Sequence, residues 1–156
     1  MDIQMHDNPH VIAPPPLIFL SALGLGLILS LAFPVSFLPP LLRLVPGILC
    51  IALAAAVLLA AFRTMQRSNT PVDPYETPRT IVTTGPYHFT RNPIYLSMAI
   101  FALGVGLLAD ALWVLILLPV ALLVIHFGVI AREERYLESK FGAVYLQYKS
   151  AVRRWI

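Results

Sequence analysis

The chain has 156 residues, of which 58% are apolar and only 12% are Asp, Glu, Lys or Arg. A soluble domain carries about 25% charged residues, so the charge content here is about half of the usual value. The composition therefore excludes a soluble fold, and the length predicts one domain spanning residues 1–156.

The single cysteine and the sign of the net charge narrow the class further. Cys50 lies inside an apolar run, so the sequence predicts no disulfide framework and no cysteine-based metal cluster. The net charge is +3 at pH 7. In a membrane protein, basic residues mark the cytoplasmic flanks, so we predict contact with membrane lipids, no nucleic-acid partner and no metal site.

Four long stretches without Asp, Glu, Lys or Arg follow a polar arm at residues 1–16, which ends in three consecutive prolines. The arm lacks the basic region of a cleaved signal peptide, so we expect it to remain on the mature protein. Stretches of about 18 apolar residues or more match the hydrocarbon core of a bilayer. The pattern predicts an all-α, polytopic membrane protein with about four transmembrane helices, at residues 17–33, 44–62, 94–109 and 112–131.

The basic residues set the orientation of these helices. All of the 11 Lys and Arg residues except Arg43 fall on two segments, residues 63–93 and 132–156. By the positive-inside rule, we predict that these are a cytosolic loop and a cytosolic tail of a multi-pass protein in the inner (plasma) membrane. Arg43 and Asp110 then lie near the outer face, where Asp110 turns the third and fourth helices into a tight helical hairpin.

The predicted cytosolic tail has apolar and aromatic residues at steps of three and four. This spacing indicates a C-terminal amphipathic helix that lies at the membrane interface. The residues that form its apolar face are Leu137, Phe141, Val144, Tyr145, Tyr148, Val152 and Trp155.

A first motif whose side chains suit binding or catalysis runs from Thr-Gly-Pro-Tyr at residues 84–87 to Arg-Asn-Pro-Ile-Tyr at residues 91–95. Pro93 suits the first turn of the third helix, because no backbone donor is missed there. The junction offers free backbone N–H groups, an arginine, an amide and two tyrosines at the membrane surface. Spacing alone slightly favours the alternative, a capped helix start within an interfacial aromatic belt.

A second motif, Arg-Glu-Glu-Arg at residues 132–135, stands where the fourth helix leaves the membrane. His126 precedes Glu133 by seven residues, or two helical turns, so we expect both side chains on nearly the same face. A carboxylate at the mouth of a polar cavity accepts hydrogen bonds from ribose hydroxyls or an amine. The alternative is a solvated, self-paired cap of the helix beside a packed histidine.

Together these motifs resemble the isoprenylcysteine carboxyl methyltransferases and the related phospholipid methyltransferases, as a small, bacterial-type member. The resemblance covers residues 69–156, with both motifs in the same order and at similar separation. It continues through Lys-Phe-Gly at residues 140–142 and then Tyr145, Tyr148, Val152, Arg153 and Trp155.

The resemblance implies a membrane-embedded enzyme that uses S-adenosyl-L-methionine. It makes Glu133, rather than Glu134, the carboxylate that contacts this donor. Eukaryotic members have histidine in place of Asn92, which cannot titrate, so we expect no general base there. In that family an arginine is proposed to orient the prenylcysteine carboxylate, and this sequence has no matching arginine. Carried over residue by residue, the donor-binding positions are Arg79, Thr80, Ile81, Val82, Tyr87, Asn92, Pro93, Ile94, Tyr95 and Glu133.

Methyl transfer from a sulfonium suits these residue types, because it depends on alignment more than on acid–base groups. The predicted acceptor is lipophilic: a prenylcysteine-like carboxylate, a phospholipid or another small hydrophobic substrate. We expect it to enter from the bilayer near the cytosolic ends of the third and fourth helices. A membrane reductase that uses NADPH and a non-catalytic membrane scaffold remain open. Gly104 and Gly106 lie inside the third helix, and the sequence leaves two roles open for them: helix packing or contact with the cofactor.

Overall fold

In a computed structural model, the structure describes residues 11–71 and 77–156. Residues 1–10 of the predicted polar arm and residues 72–76 of the predicted cytosolic loop lie outside the described residues. The described residues are helical and contain no strand, which confirms the all-α fold. The helices are α1 (Pro15–Ala32), α2 (Pro40–Arg67), α3 (Pro93–Leu108), α4 (Leu112–Val124), α5 (Ala131–Phe141) and α6 (Ala143–Ala151).

Proline and apolar residues explain where the long helices begin and how far they run. A proline lies in the first turn of α1, α2 and α3, where its missing N–H costs no hydrogen bond. A π-helical segment (Ile125–Ile130) joins α4 to α5, so α4, this segment and α5 form one continuous helix, Leu112–Phe141. By length and composition, α1, α2 and this continuous helix can cross a membrane, and α3 is a shorter apolar helix of 16 residues.

Contacts at both ends of α1 show that it runs antiparallel to α4. At one end, the Trp113 indole N–H donates to the Phe33 carbonyl at 3.0 Å. At the other end, the Ile12 N–H donates to the Gly128 carbonyl at 3.4 Å. The α3–α4 turn is as tight as the hairpin prediction requires, because only residues 109–111 separate the two helices.

Glycines allow the helices to approach closely. A Cβ added to Gly104 would lie 2.9 Å from Cγ1 of Ile51 and 3.0 Å from the Gly47 carbonyl oxygen of α2. A Cβ added to Gly106 would lie 2.8 Å from Cδ2 of Leu115 in α4. Both glycines therefore lie at close helix–helix contacts, which gives Gly104 and Gly106 a packing role of the kind common in membrane helices.

We expect Gly104→Ala to destabilise the bundle by about 1–3 kcal/mol, because the added methyl group overpacks the α2–α3 contact. Gly24→Ala is the matched control, since a Cβ there meets no atom of the described residues within 4 Å. Heat denaturation of both variants in one detergent measures the difference. Equal unfolding midpoints for the two variants would contradict the close α2–α3 contact.

Asp110 connects the α3–α4 turn to the α1–α2 turn. Its carboxylate accepts hydrogen bonds from the Ser36 hydroxyl at 2.6 Å and from the N–H groups of Phe37 and Leu38, each at 3.3 Å. Arg43 lies 3.5 Å away. The Ser36 hydrogen bond is the main reason that the pKa of Asp110 lies below its ordinary value, and the backbone N–H groups and Arg43 lower the pKa further.

A carboxyl group with a lowered pKa stabilises the folded state above its unfolded pKa, about 3.9, and loses this effect as the pH falls. We therefore expect wild type to unfold at a higher temperature than Asp110→Asn at pH 7, and the gap to narrow below about pH 4. Asn is a close match because it also tolerates the left-handed backbone, φ +52°, of this position. If the difference in unfolding temperature is the same at low pH and at neutral pH, the charge of Asp110 does not stabilise the contact between the two turns.

The tail differs from a single amphipathic helix lying on the membrane. Gly142, with φ +51°, separates α5 from α6. Glycine enters this left-handed region without a steric penalty, so the chain can reverse direction there. As a result, α6 and the last residues fold back onto the loop that precedes α3.

Candidate active site

The loop before α3 is anchored on the end of α2. Gly85 has φ +59°, and a Cβ there would lie 2.7 Å from the Thr64 hydroxyl oxygen of α2. A short 3₁₀ turn (Gly85–His88) then buries Tyr87 in a cluster with Val82 and Ala61. Ile94 packs against the same cluster from the first turn of α3. Three predicted donor-binding residues, Val82, Tyr87 and Ile94, are thus brought together.

The two sequence motifs meet at a hydrogen bond between Tyr95 and Glu133. The Tyr95 hydroxyl donates to Oε1 of Glu133 at 2.6 Å. Both side chains are half-buried. Within the part of the chain that the structure describes, Tyr95 is the hydrogen-bond partner of Glu133, which leaves the second carboxylate oxygen for another donor.

Glu134, the next residue, has a different environment. Its side chain is only 6% exposed. It accepts hydrogen bonds from Nε and Nη2 of Arg154 at 2.9 and 2.6 Å, and Nη2 of Arg91 and Nζ of Lys149 lie 3.2 and 3.9 Å from its oxygens. These partners come from distant parts of the chain. The alternative of a solvated, self-paired cap is therefore wrong for Glu134.

The expectation that His126 and Glu133 share a face is also wrong. His126 lies in the π-helical segment, and its Nε2 is 2.6 Å from Nη1 of Arg154, the partner of Glu134. A π turn accommodates one extra residue, so two turns from His126 require about eight residues rather than seven and arrive at Glu134. The indole N–H of Trp155 donates to Nδ1 of His126 at 3.2 Å.

The His126 ring cannot hold the tail through both of its nitrogens at once. Arginine and tryptophan only donate, whereas a neutral imidazole has one acceptor nitrogen. Arg154 and Trp155 therefore compete for a single lone pair. The two-bond pairing of Arg154 with Glu134 is the stronger attachment, because both groups are charged and the geometry is bidentate.

Main-chain carbonyls of the tail bind the loop at the start of α3. The Arg91 N–H donates to the Arg153 carbonyl at 3.0 Å. The Thr90 hydroxyl and the Asn92 side-chain amide both donate to the Arg154 carbonyl, at 3.1 and 2.9 Å. The predicted donor-binding residue Asn92 is thus also an attachment point of the tail.

Three tyrosines, of which Tyr87 and Tyr145 are buried and Tyr148 is half-buried, complete the contact between tail and loop. The Tyr148 hydroxyl donates to the Tyr87 carbonyl at 2.6 Å, and Nη1 of Arg91 donates to the Tyr145 hydroxyl at 3.4 Å. Burial raises the pKa of Tyr145 to about 12 and also raises the pKa values of Tyr87 and Tyr148. These phenols stay protonated at neutral pH and serve as hydrogen-bonding groups. Nε of Arg91 is a buried donor without a partner among the described residues.

The remaining predicted donor-binding residues differ in exposure. Arg79 and Thr80 are exposed, Ile81 is half-buried, and Pro93 is buried at the start of α3. Sequence reasoning missed the structural importance of Arg154 and Glu134. The available signal was a run of two arginines and a tryptophan at residues 153–155, following two adjacent glutamates in a chain that has few charges.

An apolar cavity of about 380 Å³ lies where α1, α2 and α3 meet. Met98 and Ala102 of α3 line it, and they follow Tyr95 at steps of three and four, so all three lie on one helix face. The cavity therefore lies on the α3 face that carries Tyr95, the partner of Glu133. Its wall also includes Phe19, Leu23, Ala54, Leu58 and Ser97.

The described residues thus form an apolar helical bundle, with helices long enough to cross a membrane and a polar cluster at one end. The family model for phospholipid methyltransferases matches residues 42–144. The chain belongs to the phospholipid methyltransferase family, which confirms the resemblance seen in the sequence.

Two curated proteins share shorter segments with this chain. The cobalt-zinc-cadmium resistance protein CzcN of Cupriavidus metallidurans is 37% identical over 62 residues, which are 40% of this chain and 29% of CzcN. An uncharacterized protein of Haemophilus influenzae is 63% identical over 35 residues, which are 22% of this chain and 56% of that protein. The chain thus spans less than two thirds of either relative. No solved structure matches it.

Proposed function

We propose that the chain transfers a methyl group from S-adenosyl-L-methionine to a lipophilic acceptor held in the membrane. The observation that carries this proposal is the position of the Tyr95–Glu133 pair, which lies at the polar end of the bundle and on the same α3 face as the apolar cavity. A charged donor and an apolar acceptor would meet at this boundary. We also propose that the polar end faces the cytoplasm, since S-adenosyl-L-methionine is soluble in water.

The residues at this end suit a cationic donor. Glu133 has a carboxylate oxygen that no described residue engages, and it lies in a half-buried setting where a charged hydrogen bond is strong. Tyr87 and Tyr95 offer aromatic faces, which attract cations. The donor would be held by Arg79, Thr80, Ile81, Val82, Tyr87, Asn92, Pro93, Ile94, Tyr95 and Glu133.

When bound there, S-adenosyl-L-methionine would supply an activated methyl group and would leave as S-adenosylhomocysteine. The side chains of this chain serve to bind and align the two reactants. Asn92 does not titrate, and Tyr87, Tyr145 and Tyr148 stay protonated at neutral pH, so we expect these side chains to contribute through binding and orientation.

The apolar cavity supports lateral entry of the acceptor. An acyl or prenyl chain gains about 0.8 kcal/mol for each CH₂ group that stays in lipid, so leaving the bilayer for an aqueous pocket would be costly. The cavity walls are apolar, and the Ser97 hydroxyl is already bonded to the Ile94 carbonyl at 2.6 Å. A phospholipid or another lipid-tailed acceptor therefore fits better than a water-soluble one.

Purified protein in mixed micelles with phospholipid and methyl-labelled S-adenosyl-L-methionine tests the proposal. We expect the label in the lipid extract and thermal stabilisation by S-adenosylhomocysteine, about 2.7 kcal/mol at a hundredfold excess over Kd. Stabilisation by NADPH instead would favour a reductase. Stabilisation by neither ligand would favour a scaffold.

Ser97→Trp should fill the cavity and raise the KM for the acceptor by about tenfold or more, because losing a few buried CH₂ groups already costs over 1.4 kcal/mol. Donor affinity should stay nearly unchanged. Ile116→Trp, at an exposed position of α4, is the control for adding a large side chain to a lipid-facing surface. An unchanged acceptor KM in Ser97→Trp would exclude this cavity as the acceptor site.

A further inference from the structure

We propose that residues 153–155 form a clasp that positions the donor-binding loop, with Arg154 as the positioning residue. This inference rests on the proposed function, and it adds a role for residues outside the donor-binding set. Arg154 would act through the loop and would not touch either reactant.

The clasp is attached to the body of the bundle on one side. The Arg154 guanidinium makes two hydrogen bonds to the buried carboxylate of Glu134. Because His126 can accept from only one of its two neighbours, this ion pair is the main attachment. Glu134 follows Glu133 directly, so the attachment and the proposed donor-contacting carboxylate share one turn of α5.

The clasp holds the loop on its other side. Carbonyl groups of the clasp accept three hydrogen bonds from residues 90–92, namely from the Arg91 N–H, the Thr90 hydroxyl and the Asn92 amide. These residues lead directly into the first turn of α3, which contains Tyr95. The carbonyl that Thr90 and Asn92 share belongs to Arg154 itself, whose side chain is anchored on Glu134, so we expect this anchor to set the geometry of the loop.

The test compares Arg154→Ala and Arg154→Lys with Arg135→Ala in the full-length protein. Arg135 is an exposed arginine of α5 whose Nε bonds to the Ala131 carbonyl of its own helix, so its loss gives the same change of charge. Lysine at position 154 keeps the charge but cannot make the two-bond pair, and this variant covers the case in which Arg154→Ala does not fold.

The first readout needs no ligand. Hydrogen exchange of residues 85–92 should become about tenfold faster or more in Arg154→Ala, less so in Arg154→Lys, and stay within about twofold in Arg135→Ala. Unchanged exchange in both Arg154 variants would overturn the clasp.

The second readout is affinity for S-adenosylhomocysteine at a temperature where all variants are folded. Both Arg154 variants should bind about tenfold more weakly or worse, and Arg135→Ala should bind as wild type does. A lower unfolding temperature with unchanged affinity would reduce Arg154 to a structural residue and overturn the proposal. Wild type that does not bind this ligand would instead refute the proposed function, while the exchange experiment would still decide whether the clasp exists.

Discussion

Glu133→Gln should weaken binding of S-adenosyl-L-methionine by about 1.5–3 kcal/mol, or roughly 10- to 150-fold in Kd, because it removes a charged hydrogen-bond acceptor. The protein should still fold, since glutamine keeps an oxygen for the Tyr95 hydroxyl. Titration of the detergent-purified variant with donor and product measures the loss.

The two ligands separate the possible contacts of Glu133. S-adenosyl-L-methionine carries a sulfonium and S-adenosylhomocysteine does not, whereas both have the ribose hydroxyls and the amine. A larger loss for the cationic donor would place Glu133 near the sulfonium, and equal losses would place it at the ribose or the amine. Glu138→Gln is the control, because Glu138 lies in the same helix and pairs with Lys149. Wild-type affinity in Glu133→Gln would refute the assignment.

Glu134→Gln should have a larger effect on stability than on binding. The substitution leaves Arg154 and Arg91 without the buried negative charge that they share, and breaking a buried ion pair from one side costs about 3–5 kcal/mol. We expect a marked fall in the unfolding temperature in detergent, and loosening of the tail before the helical bundle unfolds.

Glu138→Gln again serves as the comparison, since its carboxylate is 31% exposed and its pair with Lys149 lies at the surface. Surface pairs contribute about 0–1 kcal/mol, so this variant should unfold close to wild type. Similar unfolding temperatures for the two variants would mean that Glu134 does not hold the tail.

The family and the general architecture were readable from the sequence. Long stretches without charge predict membrane helices because a charge inside lipid is costly, and the two residues between the third and fourth predicted helices leave space only for a tight hairpin. The Arg-Asn-Pro-Ile-Tyr motif predicted the start of α3, since proline is favoured in the first turn. The approach of Tyr95 to Glu133 confirms that the two motifs meet.

The different partners of the two glutamates could not be predicted from the sequence. Glu133 and Glu134 are chemically identical, but adjacent residues of a helix point about 100° apart, so one reaches Tyr95 and the other reaches Arg154. The partner of each glutamate lies far away in the sequence, 20 positions from Glu134 and 38 positions from Glu133. Helical periodicity does not contain that information.

The sequence by itself determined the apolar helices, the hairpin at Asp110 and the residues that mark the family, because burial preference and backbone propensity act locally. Only the tertiary structure decided the register of His126 and the path of the tail. One extra residue in a π turn shifts every later side chain, and the reversal at Gly142 brings Arg154 to Glu134. Both outcomes depend on long-range packing and ion pairing, whose free energies exist only once the helices have assembled.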